Sequence, residues 1–297
     1  MMALERWWSP ETPARRLAAV RIVVGLFAAG YLLARAPHLL SYARFNPDLF
    51  QPVGVVSILG QPLPAIAVYL LTGLTLVTSV AFVLGYKFRW VGPLFSILLL
   101  WTLSYRNSWR MVFHTENLMV LHVMVLGLAP SADAWSIDSR GHSQSGAGAC
   151  YGWPLRLMGA IVVLAYAIAG IAKFRWGGTG WLEGDVLRNL VATDTVRKIL
   201  LGSFYSPVAG SMVDASGAFK VFAIATVILE LGAPVVWLGR RWAALWCLAI
   251  IGFHWGVQVI MMITFPYPMF GFAFACLFPI DDWWVHWRER RRAKKSK

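Results

Sequence analysis

Long apolar runs, separated by short polar or Pro/Gly-rich stretches, recur along the whole chain, at residues 17–33, 64–86, 90–105, 116–129, 155–173, 219–238, 242–263 and 267–280. A helix needs about 20 apolar residues to cross a bilayer, and most of these runs approach that length. They predict an all-α fold: a polytopic integral membrane helical bundle of about eight transmembrane helices. The fourth and eighth runs are short, which suits tilted or half-buried helices. The first run follows Arg15 and Arg16 as a signal peptide would. Arg21 interrupts it, Arg35 follows it, and no A-x-A cleavage pattern is present, so it reads as a retained span.

The segments between the runs carry their own pattern. Residues 37–63 contain Pro37, Pro47, Pro52 and Pro62 with apolar residues between, as in a folded interfacial loop. Residues 174–218 open on Gly177, Gly178, Thr179 and Gly180. They continue as WLEGDVLRNLV, where Leu182, Val186, Leu187, Leu190 and Val191 recur at helical spacing. This predicts an interfacial amphipathic helix after the fifth span. The polar loop 131–152 reads as flexible. The organisation is then a cytoplasmic segment 1–14, a transmembrane domain 15–285 and a basic cytoplasmic tail 286–297. No solenoid repeat is evident; the pairs Phe113-His114 and Phe253-His254 each open a polar-dotted span.

Composition strengthens the membrane reading. Of 297 residues 58% are hydrophobic and 14% charged, with a mean hydropathy of +0.61, against roughly half and a quarter in soluble domains. Sixteen Trp and 17 Phe exclude collagen-like and disordered classes, and three Cys exclude a disulfide scaffold. Cys150 lies in a polar loop and Cys247 and Cys276 in apolar runs, without CxxC spacing. The net charge of +13 changes the picture through its placement. Residues 288–297 hold seven Lys/Arg against one Glu, just after Trp283, Trp284 and Trp287. Such a cluster beside a membrane binds anionic lipid and fixes orientation, whereas nucleic-acid binding would need a soluble basic domain. With Arg15, Arg16, Lys87, Arg89, Arg140, Arg156, Arg240 and Arg241, it predicts a multi-pass cell-membrane protein with both termini cytoplasmic. The opposite face still carries Arg44, Arg106, Arg110, Lys173, Arg175, Arg188, Arg197 and Lys198, an excess that suggests work for some of them.

An ionisable group in hydrocarbon costs roughly 2.5–3.5 kcal/mol and needs a partner, an aqueous cavity or a function. The candidates are Arg21, His114, Glu116, Asn117, His122, Lys173, Glu230, His254 and Gln258. His254 and Gln258 are four apart on one helix face, and His114 and Asn117 share another. Each pair suits a bound polar ring or carboxylate, or else helix-to-helix hydrogen bonding. His114 and His122 stand about 12 Å apart by helical rise and no HExxH pattern exists, so no protein-bound metal is expected. Lys173 closes a run of small and apolar residues and is followed by Phe174 and Trp176. It is a snorkelling lysine or a desolvated amine available as a base. Glu230, four residues before Pro234, is a partner for Arg21 or another buried cation, or a proton-handling carboxylate.

At these residues the chain resembles the vitamin K-dependent gamma-carboxylase-like family, also called the horizontally transferred transmembrane (HTTM) domain. The matching pieces are RIVVGLFAAGYL, FHTENLMVLHVMVLGLAPSADAWSID, YAIAGIAKFRWGGTGWLEG and FHWGVQVIMMITFPYPMFGFAFACLF, in order over about residues 15–285. The resemblance implies that Lys173, at the end of AGIAK, is the base that deprotonates a reduced membrane quinone like vitamin K hydroquinone. It implies that His114 is a supporting catalytic residue and that His254, Gln258 and Asn117 hold the cofactor. The family's carboxylase acts on glutamate side chains and carries a large extramembrane C-terminal part, where this sequence reads as a short basic tail. YRNSWRMVFH also departs from the carboxylase pattern before the histidine. Fold and cavity therefore transfer better than glutamate carboxylation does.

The leading expectation is a quinol-dependent enzyme, carboxylase- or epoxidase-like, of a bacterial inner membrane, with a secreted peptide or protein as substrate. Two other classes stand beside it. One is a non-catalytic maturation, immunity or lipid-binding membrane protein, in which Lys173 and Glu230 pair within the bundle. The other is a transporter, which would need discontinuous helices around a midplane site.

Overall fold

A computed structural model describes residues 2–141, 146–283 and 285; the basic tail predicted at 286–297 lies outside them. The helices are α1 Met2–Trp8, α2 Ala14–Ser41, α3 Ala65–Leu84, α4 Phe88–Asn107, α5 Asn117–Leu128, α6 Ala149–Leu182, α7 Asp185–Leu200, α8 Pro207–Met212, α9 Ser216–Leu231, α10 Arg240–Met261 and α11 Pro266–Met269. Two short strands, Thr12–Pro13 and Ala147–Gly148, pair antiparallel. The fold is all-α, and four segments are long and apolar enough to cross a membrane: Ala14–Arg44, Ala65–Leu84, Ala149–Leu182 and Arg240–Met261.

Several apolar runs form elements other than those expected, for local reasons. The run 219–238 stays α-helical only to Leu231 and continues as a 3-10 helix, Ala233–Leu238, because Pro234 cannot supply an amide to the helix. The run 267–280 is broken by Pro266, Pro268 and Gly271 at φ 77° into α11 and a 3-10 turn, Phe272–Leu277. Cys150, expected in a loop, stands exposed in the first turn of α6. Phe113 and His114 open no helix. They sit in a loop before α5 that Asn107 closes through both its amide groups to the backbone of Phe113.

The chain divides into two compact units, Met1–Met158 with Phe278–Lys297, and Gly159–Leu277. In the first, α2 packs on α3 and α5, and α4 on α3 and α5. The backbones of α4 and α5 touch where Gly92 faces Gly127: a Cβ at either would lie 2.5–2.6 Å from the other's carbonyl oxygen. Small residues permit this approach, and dispersion with interhelical hydrogen bonds, here Ser96 Oγ donating to the Val123 carbonyl at 3.1 Å, replaces the hydrophobic drive that lipid lacks.

Each charge buried in this unit has partners. Arg21, fully buried, donates to the carbonyls of Ser131 (2.8 Å), Trp135 (2.7 Å) and Val83 (3.4 Å). The W-S-x-D loop thus folds around its guanidinium. Asp138, at the end of that block, accepts the backbone amides of Lys87 (2.8 Å) and Phe88 (2.7 Å) and caps the start of α4. Arg106 Nη1 donates to the Tyr31 hydroxyl (2.8 Å) and lies 2.9 Å from Glu116 Oε2, while Tyr31 donates to Glu116 Oε1 at 2.7 Å. His122, fully buried, meets the Met158 carbonyl at 3.3 Å.

Asp281 joins the far end of the sequence to α2, accepting Arg15 Nε and Arg16 Nε, each at 2.9 Å. Burial by itself would raise its pKa, but the hydrogen bonds and charges of Arg16 and Arg15 outweigh it and hold the carboxyl below its ordinary 3.8. A group depressed in the folded state contributes stability above its unfolded pKa and loses it as the pH falls through the folded value. Asp281→Asn should therefore lower the thermal midpoint in detergent at neutral pH, and the gap from wild type should close on acidification below about pH 4. A gap that does not change with pH contradicts this.

Candidate functional site: a buried lysine–glutamate pair

In the second unit, α6 carries Tyr166, Gly170 and Lys173 at positions i, i+4 and i+7, one face of a helix. Gly170 sets how closely α9 approaches. A Cβ there would fall 2.8 Å from the Leu231 side chain and 3.2 Å from Glu230 Cβ. The missing side chain lets α9 lie against α6 one turn before the lysine, which brings Glu230 within reach. Lys173 Nζ donates to Glu230 Oε1 at 2.7 Å and Oε2 at 2.6 Å. The side chains are 18% and 6% exposed.

Of the two partners weighed for Glu230, the structure gives it Lys173; Arg21 is held by carbonyls in the first unit. A carboxylate contacting the amine through both oxygens stabilises an ammonium, so the two groups form one charge-compensated pair. Moving the proton from Nζ to the carboxylate replaces two buried charges by two neutral groups, an exchange that a low dielectric makes easier than in water.

A second polar pair lies on the same face of α6. The Tyr166 hydroxyl and His254 Nε2 are 2.8 Å apart, both residues buried, within a set of rings that includes Trp246, Phe265 and Phe274. His254 Nδ1 is buried with no hydrogen-bond partner among the described residues, as is Trp181 Nε1. Leaving a buried polar atom unpaired costs about 1–3 kcal/mol. Gln258 turns toward the end of α10, where Thr264 donates to its Oε1 at 2.6 Å.

The same unit holds an apolar cavity of about 270 Å³ between α7, α9 and α10, with walls that include Leu187 and Val191 of α7, Phe219 and Phe222 of α9, and Phe253 and Met261 of α10; neither polar pair lines it. Thr226 also lines it, one turn before Glu230, and Phe253 adjoins His254. Val191 and Phe219 also pack with Ala209 in a buried cluster. Lys198 of α7 donates to the Met261 carbonyl at the end of α10 and pairs with Asp194 at 2.8 Å, which fastens the α7 wall. Asp194 is held below its ordinary pKa because the hydrogen bonds and charges of Lys198 and Arg197 outweigh the effect of burial.

His114 and Asn117 belong to the first unit, exposed at the entry to α5, where the His114 carbonyl accepts the Asn117 amide at 3.2 Å. Lys173, Glu230, His254 and Gln258 belong to the second. Among the described residues no three His, Cys, Asp or Glu gather as a ligand set. Tyr166 and Trp181 escaped the reading of the sequence. Tyr166 was detectable as the residue two turns before Lys173 on its face, and Trp181 as the first aromatic after a glycine-rich break.

Apolar helices of membrane length, with buried charges paired between them, define a helical membrane protein. The HTTM domain model matches residues 9–283, nearly the whole chain, and the chain belongs to that family. No curated protein and no solved structure matches it.

Removing one partner of a buried ion pair leaves an uncompensated charge, a cost of about 3–5 kcal/mol, whereas replacing both by apolar groups is often neutral. Glu230→Leu should accordingly destabilise the protein strongly to chemical denaturation in micelles. The double variant Lys173→Met/Glu230→Leu should return near wild type. A double variant as weak as the single one argues against the pairing.

Proposed function

We propose that this is a multi-pass membrane enzyme, with about eight crossings, both termini cytoplasmic and α7 lying at the non-cytoplasmic interface, that takes a proton from a reduced membrane quinone. The observation that carries the reading is the contact of Lys173 Nζ with both oxygens of Glu230. A reduced quinone, when bound, supplies a hydroxyl proton and a pair of electrons. The residues present fit such a group. The apolar cavity takes a hydrocarbon tail or ring edge, and the orphaned Trp181 Nε1 and His254 Nδ1 offer donors to ring oxygens. Lys173, after passing its proton to Glu230, is the base. Tyr166 fixes the orientation of His254. His114, Asn117 and Gln258 stay in the proposal as the supporting and cofactor-holding residues that the family resemblance indicates, and Arg21 as a structural cation.

The steps that would follow, oxygenation of the quinol to an epoxide and carboxylation of a secreted peptide or protein, are part of this proposal by resemblance alone. Anionic lipid at the basic tail 286–297 is the proposed partner on the cytoplasmic side. A second reading, a non-catalytic lipid-binding or maturation protein, is favoured by the apolar lining of the cavity, which none of the paired charges lines.

The two readings separate in detergent under air. Wild-type protein should speed the oxygen-dependent loss of a reduced naphthoquinone above the rate in empty micelles, and the folded Lys173→Met/Glu230→Leu variant should not. Equal rates with both proteins leave the non-catalytic reading.

A further inference from the structure

The glycine-rich break after Lys173 does more than end a helix. Gly178 has φ 55° and ψ −145°, a conformation open to glycine, and it interrupts α6 so that the chain turns back. Gly177 is packed by the residue that follows the turn: a Cβ there would lie 3.1 Å from Trp181 Cβ and 3.4 Å from its ring. The turn is closed by the Glu183 amide donating to the Thr179 carbonyl at 3.2 Å and the Gly184 amide to the Trp181 carbonyl at 3.0 Å. Gly184, at φ 88°, seats this turn on α9, since a Cβ would fall 2.5 Å from the Lys220 amide nitrogen. The result is an indole whose ring centre lies 5.2 Å from Lys173 Nζ and whose Nε1 is buried without a partner among the described residues.

We infer that Trp181 is the positioning residue of the amine site: its ring covers Lys173, and its N–H is the donor that holds a ligand's carbonyl or hydroxyl oxygen beside the amine. Two features support the pair of roles. The ring face attracts the ammonium, so the cover and the Glu230 contact together hold Nζ. The unpaired donor gains a hydrogen bond only when an acceptor enters, which favours an oxygen-bearing ring over a hydrocarbon chain. The donor role rests on the quinol reading; the cover does not.

The test follows acylation of Lys173 in the full-length protein by an N-hydroxysuccinimide ester, read by mass spectrometry, with 2,3-dimethyl-1,4-naphthoquinone as the protecting ligand. Trp181→Leu should raise the rate at Lys173 about threefold, the size of a modest cation–π contact. Trp181→Phe, which keeps the ring face, should restore the wild-type rate. Trp181→Phe should still need about tenfold more quinone than wild type for equal protection, one hydrogen bond's worth. Gly178→Ala, which moves the indole without altering it, should reproduce the Trp181→Leu rate if the turn places the cover. Unchanged acylation in Trp181→Leu overturns the cover. Equal protection of Trp181→Phe and wild type overturns the donor role. A wild type that quinone never protects removes the quinol reading together with the donor, while the acylation rates still decide the cover.

Discussion

An ammonium and a carboxylate held together inside an apolar helix bundle are the constraint from which the rest of the second unit follows. Neither group survives there alone, because the cost of an unpaired buried charge exceeds what one contact elsewhere returns. Their meeting requires α9 to lie on α6, an approach that a side chain at position 170 would crowd at Leu231 and Glu230 Cβ. It also needs the chain to turn away just after Lys173, which Gly178 permits. The turn also lays Trp181 over the amine, while Tyr166 shares the face of α6 that carries Lys173 through its spacing alone. The glycines of AGIAK and GGTG are thus the means by which two charged residues become neighbours.

The first unit solves the same problem with backbone carbonyls and shared charges. Arg21 is surrounded by three carbonyls, Arg106 is shared between Tyr31 and Glu116, and Arg15 and Arg16 enclose Asp281. Asp138 spends its carboxylate on capping a helix. These are charges used to join segments distant in sequence, and the W-S-x-D block, which looks like part of a site when read as a motif, does its work through backbone amides and carbonyls. The second unit differs in that its paired charges stand near orphaned donors and an apolar cavity.

Much of this was legible from hydrophobic periodicity. The helical class, the spans around α2, α3, α6 and α10, a helix after the glycine-rich break and the candidacy of Lys173 and Glu230 all follow from apolar runs and from charges found inside them. What periodicity does not encode is which distant residue meets which. Lys173 and Glu230 are 57 positions apart and Tyr166 and His254 are 88 apart, so Glu230 was equally compatible with Arg21. Helix ends were misjudged where prolines cluster, as at Pro234, Pro266 and Pro268, because apolar composition persists through a change of backbone geometry. His114 was placed on a helix face that Asn107 replaces with a closed loop.

The central claim is that Lys173 and Glu230 share one proton and pass it between them when a ligand is bound. Infrared difference spectroscopy on perfusing the membrane-reconstituted protein with a reduced naphthoquinone tests this directly. The account predicts that the stretch of a protonated carboxyl group appears on binding and is absent in Glu230→Gln. No such band in the wild type, or one that persists unchanged in Glu230→Gln, contradicts it.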